Sequence, residues 1–388
     1  MPTVSSGQTV TISSGTTSNG FTILSGGQLN DYGSTSGAIL DGGYMNVNGI
    51  SLDAIVSSAG YVAVMVGTAS GSLVTGGFQN VFSGGTAINT IIGSGGQEYV
   101  SDLGVASHSI VENGGIELVL AGGVTTSAVA LAAGLIEITS GGTASATFVS
   151  SGGTAKILSS GAAIGAIVRS GGTIYVSSAG TTTSTTLSNG GFEVILAGGT
   201  ASASVIKSGG YEYINSGSLA SEASVSSGAI QNDNGTASGT KLAGFEIVYS
   251  GAVADDAQIL SNGYQYILLG GLASGTTISS GGIQNVDGTA SSTAVGGFQA
   301  IFSGAASSAV TISATGYQYV LPDGYAWDTV VSAGGIQGDD GTVEAATLVG
   351  GFQAVFSGAT ASDTSILPGG YQYISVQWGA ERRWHCHN

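Results

Sequence analysis

The sequence predicts an all-β fold: a right-handed parallel β-helix of about 20 turns, most of them 19 residues long. Three observations predict it. A glycine anchor recurs at Gly77, Gly96, Gly115, Gly134, Gly153, Gly172, Gly191, Gly210 and, as alanine, Ala229, which makes eight successive steps of 19 residues. The fourth residue after each anchor is Val or Ile from Val81 to Ile214, and the fifteenth is almost as regularly aliphatic from Ile92 to Val225. Such columns, mostly β-branched, favour strand over helix. Glycine pairs interrupt the units every eight to eleven residues. They would destabilise a helix but suit sharp corners with φ > 0. One unit is too short to bury its own apolar side, so each strand pairs in parallel with its counterpart one unit on, about 4.8 Å away. Parallel crossovers are right-handed by default.

Taken in order, residues 1–26 do not keep the register and read as an N-terminal cap, because an uncovered solenoid end is an exposed sheet edge. The repeat array occupies 27–374. Its first anchors, Gly27, Gly43, Gly60 and Gly77, are 16, 17 and 17 residues apart, and the 19-residue steps follow. From Ala229 onward the anchors are Gly244, Gly263, Gly282, Gly297, Gly316, Gly335, Gly351 and Gly370, in steps of 15, 19, 19, 15, 19, 19, 16 and 19. A higher repeat of 53 to 54 residues results. Each unit reads as strand, turn, strand, turn. The shorter units read as losing three or four residues at one place and gaining a tight acidic turn there: Asp233-Asn234-Gly235, Asp287-Gly288 and Asp339-Asp340-Gly341. Such dipeptides favour φ > 0, and a short turn stacked on a long one leaves a step or groove. Residues 375–388 end in VQWGAERRWHCHN, with two of the three His, two of the three Trp and the only Cys. This atypical tail reads as derived from truncation or a frame shift.

Composition narrows the function. Glycine supplies 69 of 388 residues and proline three, while the 42% hydrophobic content is too high for a disordered Gly/Ser chain. A net charge of −17 with six Lys and Arg argues against nucleic acid or an anionic membrane as partner. The one Cys permits neither an intrachain disulfide nor a thiolate metal site. No apolar run reaches the ~18 residues of a membrane span, so no membrane insertion by this segment is expected. Met1 to Gly7 lack a basic segment followed by an apolar core, so no signal peptide is expected in this chain.

Two columns carry candidate chemistry. The second position after the anchor is Gln or Glu at Gln79, Glu98 and Glu117 and again from Glu193 and Glu212 through Gln231, Glu246 and Gln265 to Gln372. Stacked Gln can bond amide to amide. Stacked Glu pairs repel unless screened, which makes them weak candidates for a Ca2+ site; the plainer reading is solvated or partly protonated Glu at a corner. Aromatics hold the first and third positions: Tyr211, Tyr213, Tyr264, Tyr266, Tyr317, Tyr319, Tyr371 and Tyr373, with Phe192, Phe245, Phe298 and Phe352 interleaved. Alternation places them opposite the Val/Ile column, hence outward, as an aromatic ladder fit for a glycan or a second rod. No catalytic residue emerges, because isolated bases spread along the array do not meet the geometric needs of a lyase.

Units such as GGTASATFVSSGGTAKILSSG (141–161) and GGFQNVFSGGTAINTIIGSGG (76–96), with the opening TVSSGQTVTISSG (3–15), resemble the strand-loop-strand repeats of AIDA-type autotransporter passenger domains. The resemblance implies a β-helix at the cell surface or outside a Gram-negative bacterium, acting in self-association, cell aggregation and biofilm attachment. It also implies Ser/Thr glycosylation with a heptosyltransferase as partner. The expected function is therefore a non-enzymatic adhesin whose partner is itself, or host and matrix glycans, with no required cofactor. The alternatives are a carbohydrate-binding β-helix using the aromatic ladder and, less favoured, a polysaccharide-degrading enzyme.

Overall fold

The computed structural model describes residues 1–375 other than 132 and 151. The atypical tail lies, beyond Ser375, outside the described residues. Among the described residues all regular structure is β: sixty-two short strands, from Thr3–Val4 to Tyr371–Ile374, in parallel β-solenoid turns. The chain divides into two compact units, Met1–Gln231 and Asn232–Asn388.

Each turn has three strands, not the two that glycine punctuation suggests. After Gly77 they are Phe78–Val81, Thr86–Ile88 and Ile91–Ile92. Each pairs in parallel and in register with its counterpart one turn on, as Val81 with Val100, Ala87 with Ala106 and Ile92 with Val111. The turns thus stack three sheets, called here first, second and third in the order their strands follow the anchor. The corner between second and third strands escaped the sequence reading because it needs no glycine pair. One left-handed residue, such as Asn89 with φ 54°, makes the bend, and a small buried residue, Thr90, follows it.

The interior is lined by aliphatic columns. Both aliphatic columns are buried, from Val81 to Ile214 on the first sheet and from Ile92 to Val225 on the third. The second sheet adds small side chains such as Ala87, Ala106 and Ala144. The Gly-Gly anchor divides two tasks. In the pair Gly95-Gly96 the first residue has φ +70°, and the second passes so close to the previous turn that a Cβ would overlap the Val74 carbonyl. At Gly210 a Cβ would sit 2.8 Å from the Leu187 carbonyl oxygen. The first glycine serves conformation and the second serves clearance.

Three expectations need correction. Residues 1–26 keep the register: Thr3 pairs with Thr22, Thr9 with Gln28 and Thr17 with Ser34, so they form the first turn. Its anchor is Gln8, nineteen residues before Gly27, and a count of glycines passes over it. The 15-residue turns lose residues at two corners, not one. Between Ile230–Asp233 and Thr236–Ser238 only two residues remain, and two more separate Lys241–Leu242 from Phe245. Nor do the acidic turns require φ > 0 at their glycines. Gly288 and Gly341 have ordinary φ, and what a Cβ would meet there is backbone carbonyl oxygen of the previous turn.

Candidate functional site

The second-position column points inward. Alternation along Phe192–Ile195 and Tyr264–Ile267 buries the second and fourth residues and half-exposes the first and third. Gln and Glu therefore share the core with the aliphatic column, and the reading of solvated corner Glu is corrected: Glu98, Glu117, Glu193 and Glu212 are fully buried.

In Met1–Gln231 these acids form two islands. Glu98 accepts hydrogen bonds from Gln79 Nε2 (2.8 Å), Thr90 Oγ1 (3.0 Å) and Ser109 Oγ (2.9 Å). Glu117, one turn on, accepts from Thr125 Oγ1 at 2.6 Å, and its other oxygen has no partner. Glu193 accepts from Thr182 (2.7 Å), Thr185 (3.1 Å) and Ser204 (2.8 Å), and Glu212 from Gln231 Nε2 (2.6 Å). Burial pushes the carboxyls of Glu98 and Glu193 up. Burial, joined by the neighbouring Glu98 charge, takes Glu117 to about 8. In Glu98, Glu117 and Glu193 burial thus works against the ionised form. A calcium site needs several hard anionic oxygens, and among the described residues no group of three or more His, Cys, Asp or Glu could share a metal ion.

In Asn232–Asn388 the same column becomes a continuous amide ladder. Gln265 Nε2 donates to Glu246 (2.8 Å), Gln284 to Gln265 (2.7 Å), Gln299 to Gln284 (2.7 Å), Gln318 to Gln299 (2.8 Å), Gln337 to Gln318 (2.8 Å), Gln353 to Gln337 (3.1 Å) and Gln372 to Gln353 (2.8 Å). Burial raises Glu246 to about 7. Asp233 and Asp339 take the buried slot that Val or Ile fills elsewhere. Burial, then the Glu246 charge, lifts Asp233 to about 8, and burial lifts Asp339 to about 7. Asp233 also accepts the Gly235 N–H at 2.9 Å, which ties the two-residue corner.

The aromatic ladder lies on the outer face of the first sheet, as alternation predicts. Tyr211, Tyr213, Tyr264, Tyr266, Tyr317 and Tyr319 are half-buried there, while Tyr371 and Tyr373 are exposed. Rings stack on rings of the adjacent turn: Phe192 on Tyr211 (5.2 Å), Phe245 on Tyr264 (5.2 Å), Phe298 on Tyr317 (5.6 Å) and Phe352 on Tyr371 (5.6 Å). Three of these pairs lie near face to face, at 13° to 25° between planes, and Phe298 with Tyr317 is tilted by 38°. Two pairings that sequence spacing did not reveal join a long turn to the short turn after it. The Tyr266 hydroxyl donates to Asp287, and the Tyr319 hydroxyl to Asp340. The bond to the carboxylate, with some burial, pushes each phenol up to about 12.

Comparison with known proteins fits this architecture. The family described as "Adhesin of bacterial autotransporter system, probable stalk" matches residues 138–191. Among solved structures, a TibA fragment hyper-glycosylated by TibC is 31% identical, with a TM-score of 0.50, over 77% of this chain and 93% of that one. Comparison with curated protein sequences gives no match. With the three-sheet solenoid and this likeness together, the chain belongs to the AIDA-type family of bacterial autotransporter adhesins, proteins of the bacterial cell surface.

Proposed function

We propose that this chain is a non-enzymatic stalk that works by homotypic association, joining cells to one another and to surfaces in biofilms. The observation that carries the reading is the regular exterior: outward positions repeat in register turn after turn, and small contacts along such faces add up. The sparse charge supports it, since charged residues make up only 7% of the chain and leave long neutral stretches. Outward hydroxyls recur on the second sheet in Thr143–Ser145, Thr200–Ser202 and Thr289–Ser291. They are the proposed acceptors for a glycosyltransferase of the TibC kind, on the example of the glycosylated TibA fragment. The test is display of the chain on non-aggregating bacteria. Cells should settle together, soluble chain should compete, and divalent cations or moderate salt should speed settling by screening the net charge of −17. Cells that stay dispersed in every condition would refute the reading.

A second reading has one specific observation in its favour. The hydroxyl–carboxylate pairs Tyr266/Asp287 and Tyr319/Asp340 repeat 53 residues apart and offer donors and acceptors suited to sugar hydroxyls. Binding to a polysaccharide panel that disappears in Tyr264→Ala and Tyr317→Ala would favour it.

A further inference from the structure

The residue just before the buried column of the third sheet points outward, and in Met1–Gln231 it forms a continuous apolar stripe. It runs from Ile39 through Ile55, Leu73, Ile91 and Ile110 to Ile167 over eight consecutive turns, each side chain in register with the next. Ile55, Leu73, Ile91, Ile110 and Ile167 face solvent most and keep 36–39% of their surface exposed. No column position is itself charged or hydroxylated, and the one charge laid on the stripe is the Arg169 guanidinium, 4.5 Å from the centre of the Phe148 ring. In Asn232–Asn388 the same lattice position holds Lys241, Gln258, Thr277, Ala294, Thr311, Val330, Thr347 and Ser365, with Val330 its one large apolar side chain among the described residues. Sheet geometry does not demand apolar residues there, so the stripe is a property of this stretch of sequence.

We propose that this stripe is the face through which two copies of the chain associate, packed antiparallel about a two-fold axis. The inference rests on the homotypic reading above and names its surface. Three observations favour a second copy as occupant. Ridges at the inter-turn spacing interlock along their full length only with a surface of the same spacing, which another copy supplies. Two copies carrying −17 each repel, and a column without carboxylates lets them meet where acids are sparse, with Asp41 and Glu112 beside it and Arg169 over Phe148. Seven steps of about 4.8 Å by a width of about 10 Å give roughly 340 Å² per copy, less than half the ~800 Å² per partner of a stable complex. That is the size of a weak contact, which many displayed copies would multiply. Lacking hydroxyls, the column also stays free of O-linked sugar whatever is attached elsewhere.

The midpoint of the stripe falls between Ile91 and Ile110, so a two-fold pair brings Ile91 of one copy beside Ile110 of the other. The experiment compares full-length chains by sedimentation equilibrium: wild type, Ile91→Ser with Ile110→Ser, and a control of Tyr264→Ser with Tyr317→Ser. Circular dichroism melts verify that each is folded. The stripe variant should dimerise at least about tenfold more weakly, the control as wild type. In a Cys386→Ser background, a mixture of Ile91→Cys and Ile110→Cys chains should cross-link faster than Ile55→Cys with itself. Stripe variants that dimerise like wild type overturn the proposal. So does a wild-type chain that stays monomeric while cells displaying it still settle, which leaves homotypic adhesion standing through another face. Absence of both dimers and settling refutes the adhesion reading itself. Association that the stripe variant loses only in the presence of polysaccharide or lipid vesicles would assign the face to those ligands and likewise overturn the proposal.

Discussion

Met1–Gln231 and Asn232–Asn388 are made of the same three-strand turn and treat its interior in different ways. In the first unit the second-position column is mostly apolar, with Leu29, Met45, Val62, Ile136 and Ile174, and its polar members occur in short islands closed by Thr and Ser. In the second unit the column is amide from Gln265 to Gln372, and each amide is satisfied by the one before. A buried polar group costs free energy unless it is bonded. An island must recruit hydroxyls from other sheets, whereas an uninterrupted ladder supplies its own partners at every step. The difference shows that aliphatic columns and anchor glycines fix the solenoid, and that one core column is free to be polar if its bonds run along the stack.

The largest expected effect breaks that ladder. Gln318→Ala removes the acceptor of Gln337 and the donor to Gln299, leaving two buried polar groups unpaired beside a cavity. The expected loss, read from urea unfolding, is about 2–4 kcal/mol. Ile174→Ala in the first unit creates a cavity but orphans no amide, and about 2 kcal/mol is expected. A Gln318→Ala cost no greater than that of Ile174→Ala would mean the ladder contributes nothing beyond its volume.

The buried acids give the next effect. Glu117 is raised from the ordinary carboxylate range to about 8, so between about 4.5 and 8 the folded state holds a proton that the unfolded state has released. Stability is then greatest below the lower value and falls as pH rises through the window, by at most about 1.4 kcal/mol per pH unit for each such group. Asp233 and Asp339 act in the same direction. Thermal melts should drop steadily from about pH 5 to about pH 9, and Glu117→Gln should flatten the slope. Hydrogen exchange, corrected for intrinsic rates, should accelerate more around Glu98 and Glu117 than around Gln284 and Gln299. Chelators should leave the melt unchanged. A melt that rises with pH, or falls on chelation, would point to ionised, metal-bound carboxylates.

Much of this was legible because the period is carried by the residues that set the lattice. The columns from Val81 and Ile92 are buried where periodicity places them, and the outward parity of Tyr264 and Tyr266 follows from alternation. What stayed hidden lacks a local signal. The second bend uses single residues such as Asn89 and His108, with φ of 54° and 57°, which no composition rule flags. Asp339 reads as a turn residue, yet it fills an aliphatic slot, where burial raises its carboxyl to about 7 and it accepts a bond from Gln353 at 2.7 Å. The burial of Glu98 depends on Thr90 and Ser109, and only the stacked fold brings these around one carboxyl.

The smallest effect concerns the outer face, where the units also differ. In the first, the Tyr99 hydroxyl bonds Gln97 two residues away on the same strand. In the second, Tyr266 reaches Asp287 and Tyr319 reaches Asp340, across to the following turn. A bond within one strand is available whenever that strand is extended, so it does little to hold turns together. A bond between turns forms only when they are stacked, and its acceptor is charged. Double-mutant cycles should therefore give about 0.5–1 kcal/mol of coupling for Tyr266→Phe with Asp287→Asn. The repeat at Tyr319 and Asp340 should match it, and Tyr99→Phe with Gln97→Ala should give no coupling beyond measurement error. Equal coupling in all three would show that the cross-turn hydroxyls contribute no more than any exposed polar contact, and that the aromatic stacks alone tie the outer face of the second unit.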